Sequence, residues 1–167
     1  TRQALKARRK STKNTRTKPD KRPRGLTQSE RFRLLTEDLE VIRDVFGGKI
    51  PEGLRNTWLH LFATSLANQL NVPDIESQIL AAAKRATPGL KDSEVTAIAK
   101  QAVEKSTIPR SNCPSKDGRY QYRGATIADM LGISADVAKN WQLHQIMPIR
   151  ERKRRKAERE RARRARN

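Results

Sequence analysis

Residues 124–143 read GATIADMLGISADVAKNWQL, and the rest of the chain is organised around them. Ile127, Leu131, Ile133, Ala138 and Trp141 supply the apolar positions, and the small Ala128 precedes Gly132 by four residues. The spacing predicts a helix over 125–131 with Ala128 against a partner helix, where anything larger would hold the two apart. Gly132 supplies the positive φ of a tight interhelical turn. Ser134 then caps a second helix through its hydroxyl. In that helix Val137, Ala138 and Trp141 fall at three- and four-residue spacing and bury against the first. Ser134, Ala135, Asp136, Lys139, Asn140 and Leu143 are left facing outward.

This pattern resembles a helix-turn-helix of the DNA-binding type, whose second helix enters the major groove. The alternative is an ordinary αα-corner in a helical protein. On the first reading Asn140 reads an adenine edge bidentately and Lys139 takes a phosphate or a guanine, with Ser134 at the start of the same helix. Asp136 is out of place in a groove lined by phosphates. Its plainer role is to support the helix N-terminus through the macrodipole.

Charge is distributed unevenly around this stretch. The chain has 167 residues and a formal net charge of +19. Residues 1–25 hold 11 Lys/Arg against the single acid Asp20, and residues 150–167 hold 11 against Glu151, Glu158 and Glu160. The 124 residues between them carry a net charge of +1. A near-neutral folded middle with two cationic segments suits a polyanion, and nucleic acid is the commonest one. Residues 1–25 are almost without apolar side chains and contain Pro19 and Pro23, so they are expected to be disordered alone and to order on a polyanion. Arg8, Arg9, Lys10, Arg22 and Arg24 are the candidate phosphate contacts there. A solubilising tail or an interdomain linker is the plainer alternative.

Residues 26–106 read as four amphipathic helices. Thr27-Gln-Ser-Glu30 has the capping-box pattern. Phe32, Leu35, Leu39, Ile42 and Phe46 recur at helical spacing until Gly47-Gly48 ends the run. Leu54, Trp58, Leu61, Phe62, Ser65, Leu66 and Leu70 mark a second helix, broken by Asn71-Val-Pro73. Asp74 caps a third, with Ile75, Ile79, Leu80, Ala83 and Ala86 inward. Asp92 or Ser93 caps a fourth, with Val95, Ile98, Ala99, Ala102 and Val103 inward. Short Gly/Pro connections make these a bundle, and the fold class is all-α.

Within this region GLRNTWLHLFATSLANQL, ESQIL and PGLKDSEVTAIAKQAVEK resemble the primase-C-terminal (PriCT) helical domain. The matching positions are Gly53, Arg55 and Asn56, then Glu76 with Ile79, then Pro88, Leu90, Glu94, Val95 and Ile98. The resemblance covers residues 47–106 and implies a helical domain serving DNA replication in plasmids, phages and other mobile elements. In it Arg55 and Asn56 stand in the first turn of a helix, where backbone N–H groups and a guanidinium can hold a phosphate. Otherwise Asn56 assists the cap and Arg55 pairs with Glu40 or Asp44.

Residues 107–123 form a linker with turn signals at Pro109, Pro114 and Asp117-Gly118. Arg119-Tyr-Gln-Tyr-Arg123 alternates like a short strand or extended arm. Arg119 and Arg123 are candidate phosphate contacts, and Tyr120 and Tyr122 either stack on unpaired bases or pack on the next helix. After the two-helix unit at 124–148, Pro148 opens a last helix over 149–167. It has no apolar stripe, and its nine arginines outnumber Lys153 and Lys156, which favours fork-type phosphate contacts. Arg150, Arg152, Lys153, Arg154, Arg155, Arg159, Arg163 and Arg164 are the candidates, with Glu151–Arg155 and Glu160–Arg164 as helix-supporting pairs. A solvated single helix projecting from the body is the alternative.

Cys113 is the only cysteine, so no internal disulfide forms, and it stands with His60 and His144 at no metal-ligand spacing. No cofactor is expected. No apolar run approaches the roughly 18–20 residues of a membrane span, and no apolar stretch follows the cationic start as in a signal peptide. A bacterial cytoplasmic location, with the nucleoid or a plasmid, is expected. The first residue is Thr1, which fits a processed chain or a piece of a longer one. The chain lacks closely spaced acidic metal ligands on a strand, a phosphate-binding Gly-rich loop and a nucleophile constellation, so a non-enzymatic role is expected.

The leading expectation is a DNA-binding module, on single or double strands, of a plasmid or mobile-element replication protein, working with other proteins of that system. A helix-turn-helix transcriptional or recombination regulator and an RNA-binding structural subunit of a ribonucleoprotein are the alternatives.

Overall fold

The computed structural model describes residues 25–109 and 117–166. The expectations for residues 1–24, with Arg8, Arg9, Lys10, Arg22 and Arg24, and for Cys113 and Pro114, lie outside the described residues. Every described element is helical, so the all-α reading holds.

Helix α1 (Gln28–Val45) begins on the expected capping box: the Glu30 amide donates to Thr27 Oγ1 at 3.2 Å, and the Thr27 amide donates to the Glu30 carboxylate at 2.8 Å. It stops where Gly47 takes a φ of +74°, a value glycine adopts without strain. Phe32, Leu35, Leu39 and Ile42 are buried on its inner face, but Phe46 stays 38% exposed, edge-on to Trp141.

Helix α2 (Arg55–Ala67) is the centre of the fold and packs on α1, α3 (Ile75–Ala86), α4 (Asp92–Thr107) and α5 (Gly124–Leu131). Nine of its 13 residues are buried, as expected of a helix covered nearly all round and not of the one-faced helix read from the sequence. Trp58 stacks on Phe62 and donates its indole N–H to the Leu39 carbonyl at 3.0 Å. The helix ends three residues before the expected Leu70, which is 57% exposed. The cause is local competition for backbone groups. Asn68 Nδ2 donates to the Thr64 carbonyl, and the Leu70 amide donates to Ser29 Oγ of α1 at 2.9 Å.

Asp74 caps α3 as expected, accepting from the Ser77 amide at 3.1 Å. Its buried face is Ile79, Ala82, Ala83 and Ala86, so Leu80 lies about 100° away and is exposed, contrary to expectation. In α4 the cap position falls on Lys91 and not on Asp92 or Ser93; the Glu94 carboxylate reaches back to the Lys91 amide at 3.3 Å.

The segment 117–123 is irregular, with a bend at Arg119, and forms no ladder among the described residues. It is tied to the helices through its carbonyls: Asn68 donates to that of Tyr120 at 2.9 Å and Arg31 to that of Tyr122. The two tyrosines stack on each other with centroids 6.0 Å apart and meet His60 of α2 edge-on, so they pack on the earlier α2 where the plainer reading had the next helix.

Helix α5 and the short α6 (Ala135–Asn140) are joined by the expected turn. Gly132 has φ +67°, the Ile133 amide donates to Ala128 at 2.8 Å, and Ser134 Oγ accepts from the Val137 amide. Ala128 and Ala138 are fully buried. Leu143, read as outward on the second helix, is fully buried beyond the helix end. Gln142 takes a positive φ there, and the chain folds back as a strap at 143–147.

That strap crosses two elements. Asp38 of α1 is itself fully buried and accepts from the amides of His144, Gln145 and Ile146 at 2.8, 2.6 and 2.8 Å. On the other side Gly124 lies so close that a Cβ would stand 1.8 Å from the Gln145 carbonyl oxygen. One hydrophobic cluster therefore runs from Phe32 through α2 to Ile127, Leu143 and Met147, and the two folded segments either side of residues 107–123 share a core. Helix α7 (Ile149–Ala165) follows Pro148 and buries only Glu151.

Candidate nucleic-acid interface

Helix α7 is rooted by its first two turns. Glu151 is 4% exposed, accepts from Arg154 Nε and Nη2 at 2.8 Å each, and accepts from Arg155 Nε at 2.7 Å. Arg155 also donates to the carbonyls of Leu143 (2.7 Å) and Ala138 (3.2 Å). Arg155 thus sets a cation at the C-terminal end of α6, where it is favoured by the helix dipole, and adds a donor to the Ala138 carbonyl that already accepts from the Leu143 amide. Arg155, a candidate phosphate contact in the sequence reading, is committed to this joint. The Arg154 and Arg155 guanidiniums hold the Glu151 carboxyl down to about 2 from its usual 4.5.

That depression fixes a pH dependence. A carboxyl whose folded pKa lies below its unfolded value stabilises above the unfolded value and loses that contribution as pH falls. The α6–α7 joint should therefore hold at pH 5 and above and weaken as the pH drops from about 4.5 towards 2. Circular dichroism should show a loss of helix in that window. Glu151→Gln should lack this step and show reduced helix at pH 7.

Beyond Arg155 the side chains of α7 are exposed. Over 17 residues the helix is about 25 Å long. Arg154 makes a second pair with Glu158 at 2.9 Å, and Arg163 and Arg164 stand 3.7 and 3.6 Å from Glu160. Such solvent-exposed pairs contribute little, so a phosphate can displace them.

Three clefts surround the base of α7. Lys139, Arg150 and Arg154 line the one that α6 closes, of about 390 Å³, together with Asp136 and Glu151. Ser134 is occupied as the cap of α6, while Asn140 is exposed on its last turn. Arg123, Arg152, Lys153, Lys156 and Arg159 line a second cleft, of about 450 Å³, against α5, with Asp129 as its one acid among the described residues. Arg31, Arg152, Arg155 and Arg159 line a third, of about 530 Å³, and no carboxylate of a described residue lines it. Gly25 and Leu26, the first of the described residues, border the same cleft.

Arg31 is the residue the sequence reading missed. It is half-buried, lies over the Phe32 ring at 4.9 Å and donates to the Tyr122 carbonyl. Burial, and then the like charges of Arg152 and Arg123, push its guanidinium below its usual value. Its position beside Phe32 at the start of an amphipathic helix carries no local signal.

The remaining candidates fall elsewhere. Arg119 is 5% exposed and spends its guanidinium on Asp117 in a bidentate pair at 2.8 and 2.5 Å, which removes it from any surface. Arg55 donates to the Ile50 carbonyl at 3.1 Å and lies against Gly89. Glu40 and Asp44, the acids suggested for it, pair instead with Arg43, and Glu40 also with Arg85. Asn56 is exposed beside it, and neither residue lines the three clefts around α7. Among the described residues no group of His, Cys, Asp and Glu is placed to hold a metal ion, and no helix is long and apolar enough to cross a membrane. The chain matches no protein-family model, no curated relative and no solved structure.

Proposed function

We propose that the chain is a nucleic-acid-binding module, acting on DNA within the replication machinery of a plasmid or other mobile element. One observation carries the reading: Gly25, where the described residues begin, and the base of α7 line a single arginine-lined cleft without carboxylates among the described residues. Cations concentrated on one side of a near-neutral body attract a phosphate backbone and orient the body on it. The short α6 carries Lys139 in the cleft with Arg150, and the exposed Asn140 beside it in sequence is the proposed base-edge contact. The replication role draws on the resemblance of residues 47–106 to the primase-C-terminal domain. Its Ile79, Val95 and Ile98 are core residues here, and its Glu94 closes the start of α4.

The test is fluorescence anisotropy of the full chain against labelled single-stranded, forked and duplex DNA and a hairpin RNA of equal length. Replication service predicts the tightest binding to forks or single strands. A single protected duplex sequence would replace it with a helix-turn-helix regulator, and preference for the hairpin would replace it with a ribonucleoprotein subunit.

A further inference from the structure

We infer that Arg31, Arg123 and Arg152 form a built phosphate-binding seam at the base of α7, which grips consecutive phosphates of one nucleic-acid strand. The three come from α1, the residue preceding α5 and the first turn of α7, so the fold and not local sequence brings them together. Arg152 is the hinge of the arrangement, lining both the cleft with Arg31 and the cleft with Arg123. Arg159 lines both as well, about 10.5 Å further along the helix axis, which leaves room for more than one phosphate.

Arg31 is half-buried, and the exposed Arg123 and Arg152 stand beside it as like charges. Neither Arg123 nor Arg152 makes a side-chain hydrogen bond or ion pair with a described residue, and Arg31 donates only to a neutral carbonyl. The one acid bordering the seam, Asp129, lines the Arg123 side alone. Burial, and then the like charges of Arg152 and Arg123, lower the Arg31 value, so the three guanidiniums stand near one another. Of the other partly or fully buried arginines, Arg119 pairs with Asp117, Arg43 with Glu40 and Asp44, and Arg155 with Glu151, while Arg55 donates to the Ile50 carbonyl. Guanidiniums presented as forks are the side chains best shaped for phosphate oxygens.

The identity of the ligand as a strand rests on the nucleic-acid reading, and the test separates the two. Full-length Arg123→Gln/Arg152→Gln removes two seam charges without breaking a described hydrogen bond. Full-length Arg163→Gln/Arg164→Gln removes two charges from the far end of α7 and serves as the control. Each is titrated with a labelled 20-nucleotide single strand. Separately, the thermal midpoint is followed with inorganic pyrophosphate against chloride at equal ionic strength.

The seam predicts that the first variant loses at least about tenfold more affinity for the strand than the control. Equal losses in the two variants would overturn the seam while leaving nucleic-acid binding intact. If the wild type ignores the strand but pyrophosphate raises its midpoint and not that of the seam variant, the seam holds a free polyphosphate and the nucleic-acid reading falls. If the strand effect is specific and pyrophosphate does nothing, the seam is a backbone site. No specific effect of either probe would overturn it.

Discussion

Replacing Asp38 by alanine is expected to destabilise the protein by about 3–5 kcal/mol, because three backbone amides of the strap at 144–146 lose a buried, charged acceptor together. An amide left without a partner in the interior keeps its desolvation cost, so the loss exceeds that of a surface contact. For a chain of this length the thermal midpoint should fall by about 10 °C. The damage should reach past α1. The strap seats Leu143 and Ile146 in the core and runs against Gly124, so α5 and α6 loosen with it. Asp38→Asn keeps one carbonyl acceptor and should cost less than Asp38→Ala. Calorimetry of the two variants checks this order, and an alanine variant within about 1 kcal/mol of wild type would mean that water satisfies those amides.

The second large effect concerns binding. Trimming the chain to residues 25–156 removes 11 Lys/Arg at the N-terminus and five at the C-terminus. Affinity for DNA at 150 mM salt should fall at least about 100-fold, since each lost phosphate contact forfeits counterion release. The cut after Lys156 matters. Ending the chain at Ile149 would also remove Glu151 and Arg155, and with them the joint that closes α6. The 25–156 protein keeps that joint and the core, so its helix content should match the corresponding part of the full chain. Its residual binding should come from the arginines at the base of α7.

The parts of this molecule that were legible in the sequence are those set by neighbours a few residues apart. Thr27 and Glu30, Gly47, Asp74 with Ser77, and Gly132 with Ser134 all do locally what their spacing implies. The errors arise where tertiary packing decides. Leu143 turns inward because the strap folds back, Leu80 turns outward because Ala82 and Ala86 share the inner face with Ile79, and Leu70 loses its helix to Ser29.

The same holds at the candidate site. Sequence shows which segments are cationic but not which side chains each cation meets. Arg119 and Arg155 look like their neighbours, yet one is buried against Asp117 and the other closes a helix. Arg31 and Arg152 approach each other across 121 positions of chain, a meeting no periodicity encodes. Asp38 alone left a trace. A carboxylate on the stripe of Phe32, Leu35, Leu39 and Ile42 is a buried polar group that needs partners, and its partners are the strap amides.

A near-neutral helical body that sets cationic segments against a phosphate backbone should reveal them in the salt dependence of its DNA affinity. If half of the 22 Lys/Arg in residues 1–25 and 150–167 meet phosphates, log K against log salt should fall with a slope of about −10 for the full chain. The 25–156 protein should give a slope much shallower than that. A full chain that binds neither DNA nor RNA in 50 mM salt, or binds with a slope indistinguishable from that of the trimmed protein, would contradict the account.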